Sequence, residues 1–229
     1  TKGLGCRAVT IGKDSSSTYT AKDITYDGFG RPSYDLVIQG EVVNRIALGV
    51  TGEHNVYNSL AAIAVAMELG AGFDAVMAGL KKFTGTDRRF EKKGEIGGVT
   101  IIDDYAHHPQ EIKATLSAAK NYPHRKLWCV FQPHTYTRTK AFLDQFAQTL
   151  SAADEVILAD IYAARETDTL GVSSLDIVER IERLGTKAHY IPSFDDIETF
   201  ILENCINGDV LITMGAGDIV KVGEKLLGR

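Results

Sequence analysis

Residues Thr100 to Pro109, TIIDDYAHHP, place Asp103, Asp104, Tyr105, His107 and His108 between a β-branched run and a proline. Carboxylates, a phenol and imidazoles are the side chains that hold hydroxyls and amines and move protons near neutral pH. Five of them in six positions read as a ligand or proton-transfer site. Val99 to Ile102 has the apolar, β-branched character of a strand buried on both faces, and Pro109 suits the first turn of a helix, where its missing N–H costs nothing. The cluster therefore stands at the carboxyl end of a strand, the edge at which open α/β sheets bind ligands. The plainer alternative is a turn in which an Asp caps the following helix and the histidines face solvent.

A second polar stretch, FQPHTYTRT at 131–139, follows another strand candidate and opens at the same edge as Asp104 and His107, so His134, Tyr136 and Arg138 can reach a shared ligand. Arg138 is the natural partner of a carboxylate, because its planar guanidinium offers paired donors. A cation at a helix start opposes the helix dipole, which favours a ligand role over a plain helix-start residue. In GEHNVYNSLAA, Asn55 and Asn58 are three apart and share one helix face. An amide both donates and accepts, which suits the edge of an adenine, while capping by Asn55 stands as an equal reading and His54 fits a turn. Arg88 and Arg89 in GTDRRFE could close over phosphate oxygens, yet from the residues alone they read as a solvated basic linker continuing through Lys92 and Lys93. Gly215 and Gly217 in LITMGAGDI lack a third glycine at the dinucleotide-binding spacing and read as a tight structural turn. No metal motif is present, since His107 and His108 are adjacent and no His pair falls at i, i+4.

The elements that must position these residues fall into two regimes. Up to about residue 50, short runs at Arg7–Ile11, Ile24–Tyr26, Tyr34–Ile38 and Val42–Leu48 predict a β-meander, with a hairpin across the three-residue connection QGE. Val56, Leu60, Ile63 and Met67 then form one apolar helical stripe ending at Gly70, and a second helix is expected over Asp74–Phe83. The polar, Gly-containing stretch FTGTDRRFEKKGEIGG reads as a linker. From Val99 onward, strand candidates at 99–103, 126–131, 154–159, 187–191 and 209–213 alternate with helical stretches, two of them opened by Ser–Asp capping boxes at Ser173/Asp176 and Ser193/Asp196. Five βα units in order predict a mostly parallel, doubly wound α/β sheet.

The chain has 229 residues, 44% hydrophobic and 24% charged, with net charge −5. An acidic balance argues against non-specific nucleic-acid binding, so an anionic ligand must meet local basic groups. Cys6, Cys129 and Cys205 are odd in number and widely spaced, as expected of reduced thiols in a cytoplasm. No signal-peptide pattern and no long apolar run appears, so no membrane partner is expected. The first residue is Thr1 rather than Met, as in a processed product or a fragment of something longer.

GEHNVYNSLAAIAVA, GTDRRFE, DDYAHHP, FQPHTYTRT, DIYAARE and MGAGDI, in this order, resemble the Mur ligases of bacterial cell-wall synthesis, most closely the alanine-adding member. The resemblance implies residues 1–90 as the β-rich tail and last helices of a central ATPase domain, and 91–229 as a complete C-terminal Rossmann-like domain. It implies an enzyme that uses ATP to join L-alanine to the carboxylate of UDP-N-acetylmuramate through an acyl phosphate. Carried over by position, Asn55 and Asn58 contact adenine, Arg89 a phosphate and Asp104 the ribose. Tyr105, His107, His134 and Arg138 hold the alanine, with His107 and Arg138 catalytic. Some relatives have Arg where this chain has Thr135, which leaves Arg138 as the carboxylate anchor. The chain contains no G-x-x-x-x-G-K-[ST], so the phosphate loop and the Mg2+ ligands are expected in a missing N-terminal half, and this half alone is expected to be inactive. Alternatives are a tripeptide-recycling ligase of the same superfamily, a non-catalytic nucleotide-binding module, or a signalling receiver with Asp160 at the end of a strand. A receiver also needs a lysine after its fifth strand, and LITMGAG has none.

Overall fold

A computed structural model describes residues 5–229 and divides into two compact units, Thr1–Gly85 and Thr86–Arg229. In the first unit β1 (Tyr19–Tyr26), β2 (Pro32–Ile38) and β3 (Glu41–Ala47) form an antiparallel meander in the order β1-β2-β3. The β2–β3 connection is tighter than the expected three residues. Ile38 pairs with Glu41, and Gln39 and Gly40 both take positive φ, 50° and 89°, the geometry of a two-residue type I′ turn whose twist matches the strands. Arg7–Ile11 is not a strand; it contributes only a bridge from Ile11 to Tyr19. The strand that forms instead begins at Tyr19, five residues before the expected Ile24. Helices α1 (His54–Glu68) and α2 (Phe73–Lys82) follow. Val56, Leu60 and Ile63 of α1 are buried with Tyr34, Leu36 and Ile46 of the sheet, and the Tyr34 hydroxyl lies 2.6 Å from Ser59 Oγ inside this core.

The second unit holds a six-stranded sheet, ordered β4-β5-β9-β6-β7-β8. Its strands are β4 (Glu91–Ile96), β5 (Val99–Asp104), β6 (Leu127–Phe131), β7 (Glu155–Leu158), β8 (Lys187–Tyr190) and β9 (Val210–Met214). Part of the expected linker is therefore structure: β4 pairs antiparallel with β5 from Glu91↔Asp103 to Ile96↔Val99. Its charged side chains are tolerated because it is an edge strand, where lysines and glutamates also discourage pairing with other chains. The other five strands are parallel, with Ile102 and Cys129 both level with Ile212.

Helices α3 (Pro109–Lys120), α5 (Leu143–Leu150) and α6 (Ser174–Arg183) bury Ile112, Leu116, Phe146, Leu150, Ile177 and Ile181 in one core cluster. Helices α7 (Phe194–Asn204) and α8 (Val220–Leu226) bury Ile197, Ile201, Val222 and Leu226 in another. The chain winds outward from β5 through β6 and β7 to β8, then returns to insert β9 between β5 and β6. Loops leaving β5 and β6 therefore run to one face and the loop leaving β9 to the other, which opens a crevice at the carboxyl ends of these three strands. The expected capping box forms at Ser173, whose N–H donates to Asp176 Oδ2 at 2.8 Å; at Ser193 only half of it forms, Asp196 N–H donating to Ser193 Oγ at 3.4 Å.

Candidate functional site

The turn after β5 is fixed by its own polar groups. Asp104 is 5% exposed and accepts from the Ala106 N–H at 2.8 Å and the Phe90 N–H at 2.9 Å. Burial pushes its carboxyl up, and these two N–H groups pull the other way. The helix that follows is capped by His108, not by an Asp. Gln110 N–H donates to His108 Nδ1 at 3.4 Å, while Glu111 Oε2 accepts from the N–H groups of His107 and His108 at 3.0 and 3.2 Å. Pro109 at the first helical position completes the start, as its sequence context predicts.

Asp103 faces a different partner set. It is fully buried and accepts from Arg88 Nε at 2.8 Å and Thr213 Oγ1 at 2.7 Å, and burial pushes its carboxyl up against their pull. Arg88 is not a solvated linker residue. Beyond Asp103 it donates to the carbonyls of Gly215 at 2.8 Å and Gly217 at 3.2 Å, and its guanidinium carbon lies 4.8 Å from the centre of the Tyr105 ring. One arginine thus joins the β5 end to the glycine turn after β9. That turn is tight for a steric reason: a Cβ on Gly217 would lie 2.3 Å from Gln132 Oε1 and 2.9 Å from Tyr162 Cγ. Arg89 is exposed and makes no side-chain hydrogen bond or ion pair among the described residues. Its guanidinium stands 5.7 Å from the same Tyr105 ring.

The stretch after β6 meets the stretch after β5. The His107 ring is 5.5 Å from the Tyr105 ring and 6.0 Å from the His134 ring. His134 lies 5.6 Å from Tyr162 in a stacked arrangement, and its Nδ1 is 3.3 Å from Arg138 Nη1. Burial, then the Arg138 charge, holds the His134 imidazole below the usual histidine range. Thr135 starts α4 (Tyr136–Ala141) at φ 68°, ψ 143°, a conformation costly for a β-branched residue and of the kind that clusters at functional sites. Pairing overdetermines it: Thr135 N–H donates to the Tyr162 carbonyl at 2.9 Å, and Tyr162 N–H to the Pro133 carbonyl at 2.8 Å. Glu166 closes the same corner by accepting from Thr137 N–H at 3.0 Å.

Tyr105, His107, His134 and Arg138 are therefore brought together within the second unit. Tyr162, Glu166 and Arg88 join them, and sequence reasoning gave none of these three a role there. DIYAARE was a signal for the first two, because it follows the third wound strand and must open at the same edge. In the first unit Asn55 and Asn58 also meet: Asn58 Nδ2 donates to Asn55 Oδ1 at 3.0 Å. Asn55 does not cap α1; its Nδ2 donates to the Thr51 carbonyl at 2.9 Å. Asn58 is exposed and keeps its carbonyl oxygen and one N–H for another partner. No cluster of three or more His, Cys, Asp or Glu side chains is placed to hold a metal among the described residues.

The model for the Mur ligase middle domain matches residues 1–66, and that for the Mur ligase glutamate ligase domain matches residues 88–217. A UDP-N-acetylmuramate--L-alanine ligase from Lachnospira eligens is 60% identical over 223 residues, 97% of this chain and 49% of that protein. The crystal structure of UDP-N-acetylmuramate-alanine ligase from Thermotoga maritima is 29% identical with a TM-score of 0.81, over 96% of this chain and 47% of that one. A murein peptide ligase from Psychrobacter arcticus is 25% identical with a TM-score of 0.68, over 96% and 45%. The chain spans about half the length of the relatives it matches. With its middle-domain and C-terminal-domain stretches in this order, and with the family model covering residues 88–217, the chain belongs to the Mur ligase family.

Proposed function

We propose that the full-length protein uses ATP to join L-alanine to the carboxylate of UDP-N-acetylmuramate through an acyl phosphate, a step of peptidoglycan synthesis in the cytoplasm. The observation that carries the reading is the convergence of Tyr105, His107, His134 and Arg138 at the carboxyl ends of β5 and β6. The high identity to an alanine-adding relative supports it. Residues 1–90 are assigned to the end of the central ATP-binding domain and 91–229 to the C-terminal ligase domain. The missing N-terminal half of the same enzyme is the partner that carries the phosphate loop and the Mg2+ ligands.

In this reading Arg138 holds the alanine carboxylate and His107 attends its amine. Asn58 and Asn55 contact adenine through the amide groups that their mutual hydrogen bond leaves free. Arg89, whose guanidinium makes no hydrogen bond or ion pair among the described residues, meets a phosphate. Asp104 meets the ribose through the lone pair that Phe90, Ala106 and Thr115 leave open, since a carboxylate has about four. These residues bind and orient; they lower the barrier by holding the nucleophile and the adenosine in place. Phosphate release by the full-length protein that requires both L-alanine and UDP-N-acetylmuramate is the expected result. Release supported by a tripeptide and not by L-alanine would make the enzyme a recycling ligase. The 229-residue chain alone should show no alanine-dependent release.

A further inference from the structure

We propose that His107 and His134 are locked in opposite neutral tautomers, so that the site offers one bare imidazole nitrogen and one imidazole N–H and accepts an α-amino acid in a single orientation. The inference rests on the amino-acid ligation reading and deepens it. It follows from the partners at the two Nδ1 atoms. His107 Nδ1 lies 2.9 Å from the Tyr105 carbonyl oxygen, which can only accept, so His107 Nδ1 carries the proton and Nε2 is bare. His134 Nδ1 lies 3.3 Å from Arg138 Nη1, which can only donate, so His134 Nδ1 is bare and the proton sits on Nε2.

The surroundings maintain this difference. His134 faces the Arg138 guanidinium, the His107 ring and, with opposite sign, Glu166 and its own backbone carbonyl; burial and Arg138, the two larger effects, disfavour a second proton. Its ring is stacked on Tyr162, and a half-turn would break the Arg138 contact. His107 faces Glu111, with Oε2 3.5 Å from Nδ1, as well as His134 and the edge of Tyr105. A proton added at His107 Nε2 gives an imidazolium that Glu111 balances, whereas one added at His134 meets a guanidinium. His107 is therefore the acceptor: an ammonium N–H bond breaks, the Nε2–H bond forms, and the freed lone pair belongs to the attacking amine. His134 Nε2–H and the remaining donors of Arg138 take the carboxylate.

The test is two-bond proton–nitrogen NMR on the 229-residue chain with 15N-labelled histidine, the two signals assigned through His107→Gln and His134→Gln. The expected spectrum shows His107 protonated at Nδ1 and His134 at Nε2, with Arg138→Ala turning His134 into a tautomer mixture. The same tautomer at both positions, or the reverse pair, overturns the proposal. In the full-length enzyme His134→Gln, whose amide reaches the place of Nε2–H, should raise the KM for L-alanine less than His134→Asn does. His134→Asn, which does not reach it, should raise that KM at least tenfold, about 1.4 kcal/mol. Equal effects of Gln and Asn would also overturn the assignment. Correct tautomers in a full-length protein that does not use L-alanine would overturn the ligation reading alone.

Discussion

Glu155 opens β7 at the amino-terminal edge of the sheet, remote in sequence from the site, and its side chain is 1% exposed. Burial alone would raise its pKa, but Lys126, Lys187 and His189 surround it, the last two with nitrogens 2.8 and 2.7 Å from Oε1. Their pull prevails and lowers the carboxyl from 4.5 to about 2. At about 1.4 kcal/mol per pH unit, that drop amounts to about 3 kcal/mol of stability. Because the folded-state value is the lower one, the contribution is complete above about pH 4.5 and fades as pH falls toward 2; about 2 kcal/mol of it has gone by pH 3. Glu155→Gln keeps the shape, removes the charge and leaves the Lys126 and Lys187 ammonium groups facing each other without an anion. It should lose about 3 kcal/mol at pH 7, and the gap to the wild type should shrink by more than half at pH 3. Trp128, the single tryptophan, is 2% exposed in neighbouring β6, with Lys126 Nζ 4.1 Å from its ring centre, so its fluorescence in urea reports this unit. A gap under about 1 kcal/mol at pH 7, or one that stays constant to pH 3, would refute the reasoning.

Three further substitutions probe the crevice. Arg138→Ala in the full-length enzyme should raise the KM for L-alanine at least tenfold and leave that for ATP unchanged, since losing one partner of a desolvated charge pair costs about 2–5 kcal/mol and Thr135 offers no second charge. Equal weakening for both substrates would return Arg138 to a structural role. Arg88→Ala should destabilise the second unit by about 3–5 kcal/mol in the Trp128 assay, because it strands the fully buried Asp103; a loss below 1 kcal/mol would show that Thr213 suffices. Gly217→Ala should cost about 1–3 kcal/mol by driving a methyl into Gln132 and Tyr162, with the histidine signals of His134 shifting as its stacked partner moves.

What the sequence disclosed and what it concealed divide along the range of the interactions. The helical stripe at Val56, Leu60 and Ile63 and the Ser173/Asp176 capping box are local patterns and form as read, while at Ser193/Asp196 only half of the box is made. Four of the five wound strands were legible as apolar runs, and β8, KAHY, by its place in the alternation of strands and helices. The insertion of β9 between β5 and β6 was not, since nothing in the run Val210–Met214 names its neighbours. β4 was hidden because an edge strand needs no apolar face, so EKKGEI has the composition of a linker. Arg88 was hidden for a related reason: its partners lie 15, 127 and 129 residues away. In sequence it differs from Arg89 by one position, and only the fold shows that the first is consumed internally while the second is exposed.

The same distinction governs the chemistry. Residue types placed Tyr105, His107, His134 and Arg138 at one edge, because strand ends are readable from apolar runs and their turns carry the polar residues. The polarity of each imidazole depends on which atom stands opposite Nδ1, a backbone carbonyl in one case and a guanidinium in the other. The first contact spans two residues and is a property of the turn after β5. The second spans four and depends on Thr135 holding a conformation that its own side chain disfavours, which the Tyr162 backbone pairing enforces. Tyr162 thus acts on His134 twice, through the stack on the ring and through the backbone that sets the helix carrying Arg138. A site made of two histidines and one arginine becomes directional only because a fourth residue, from the segment that follows β7, fixes how they face each other.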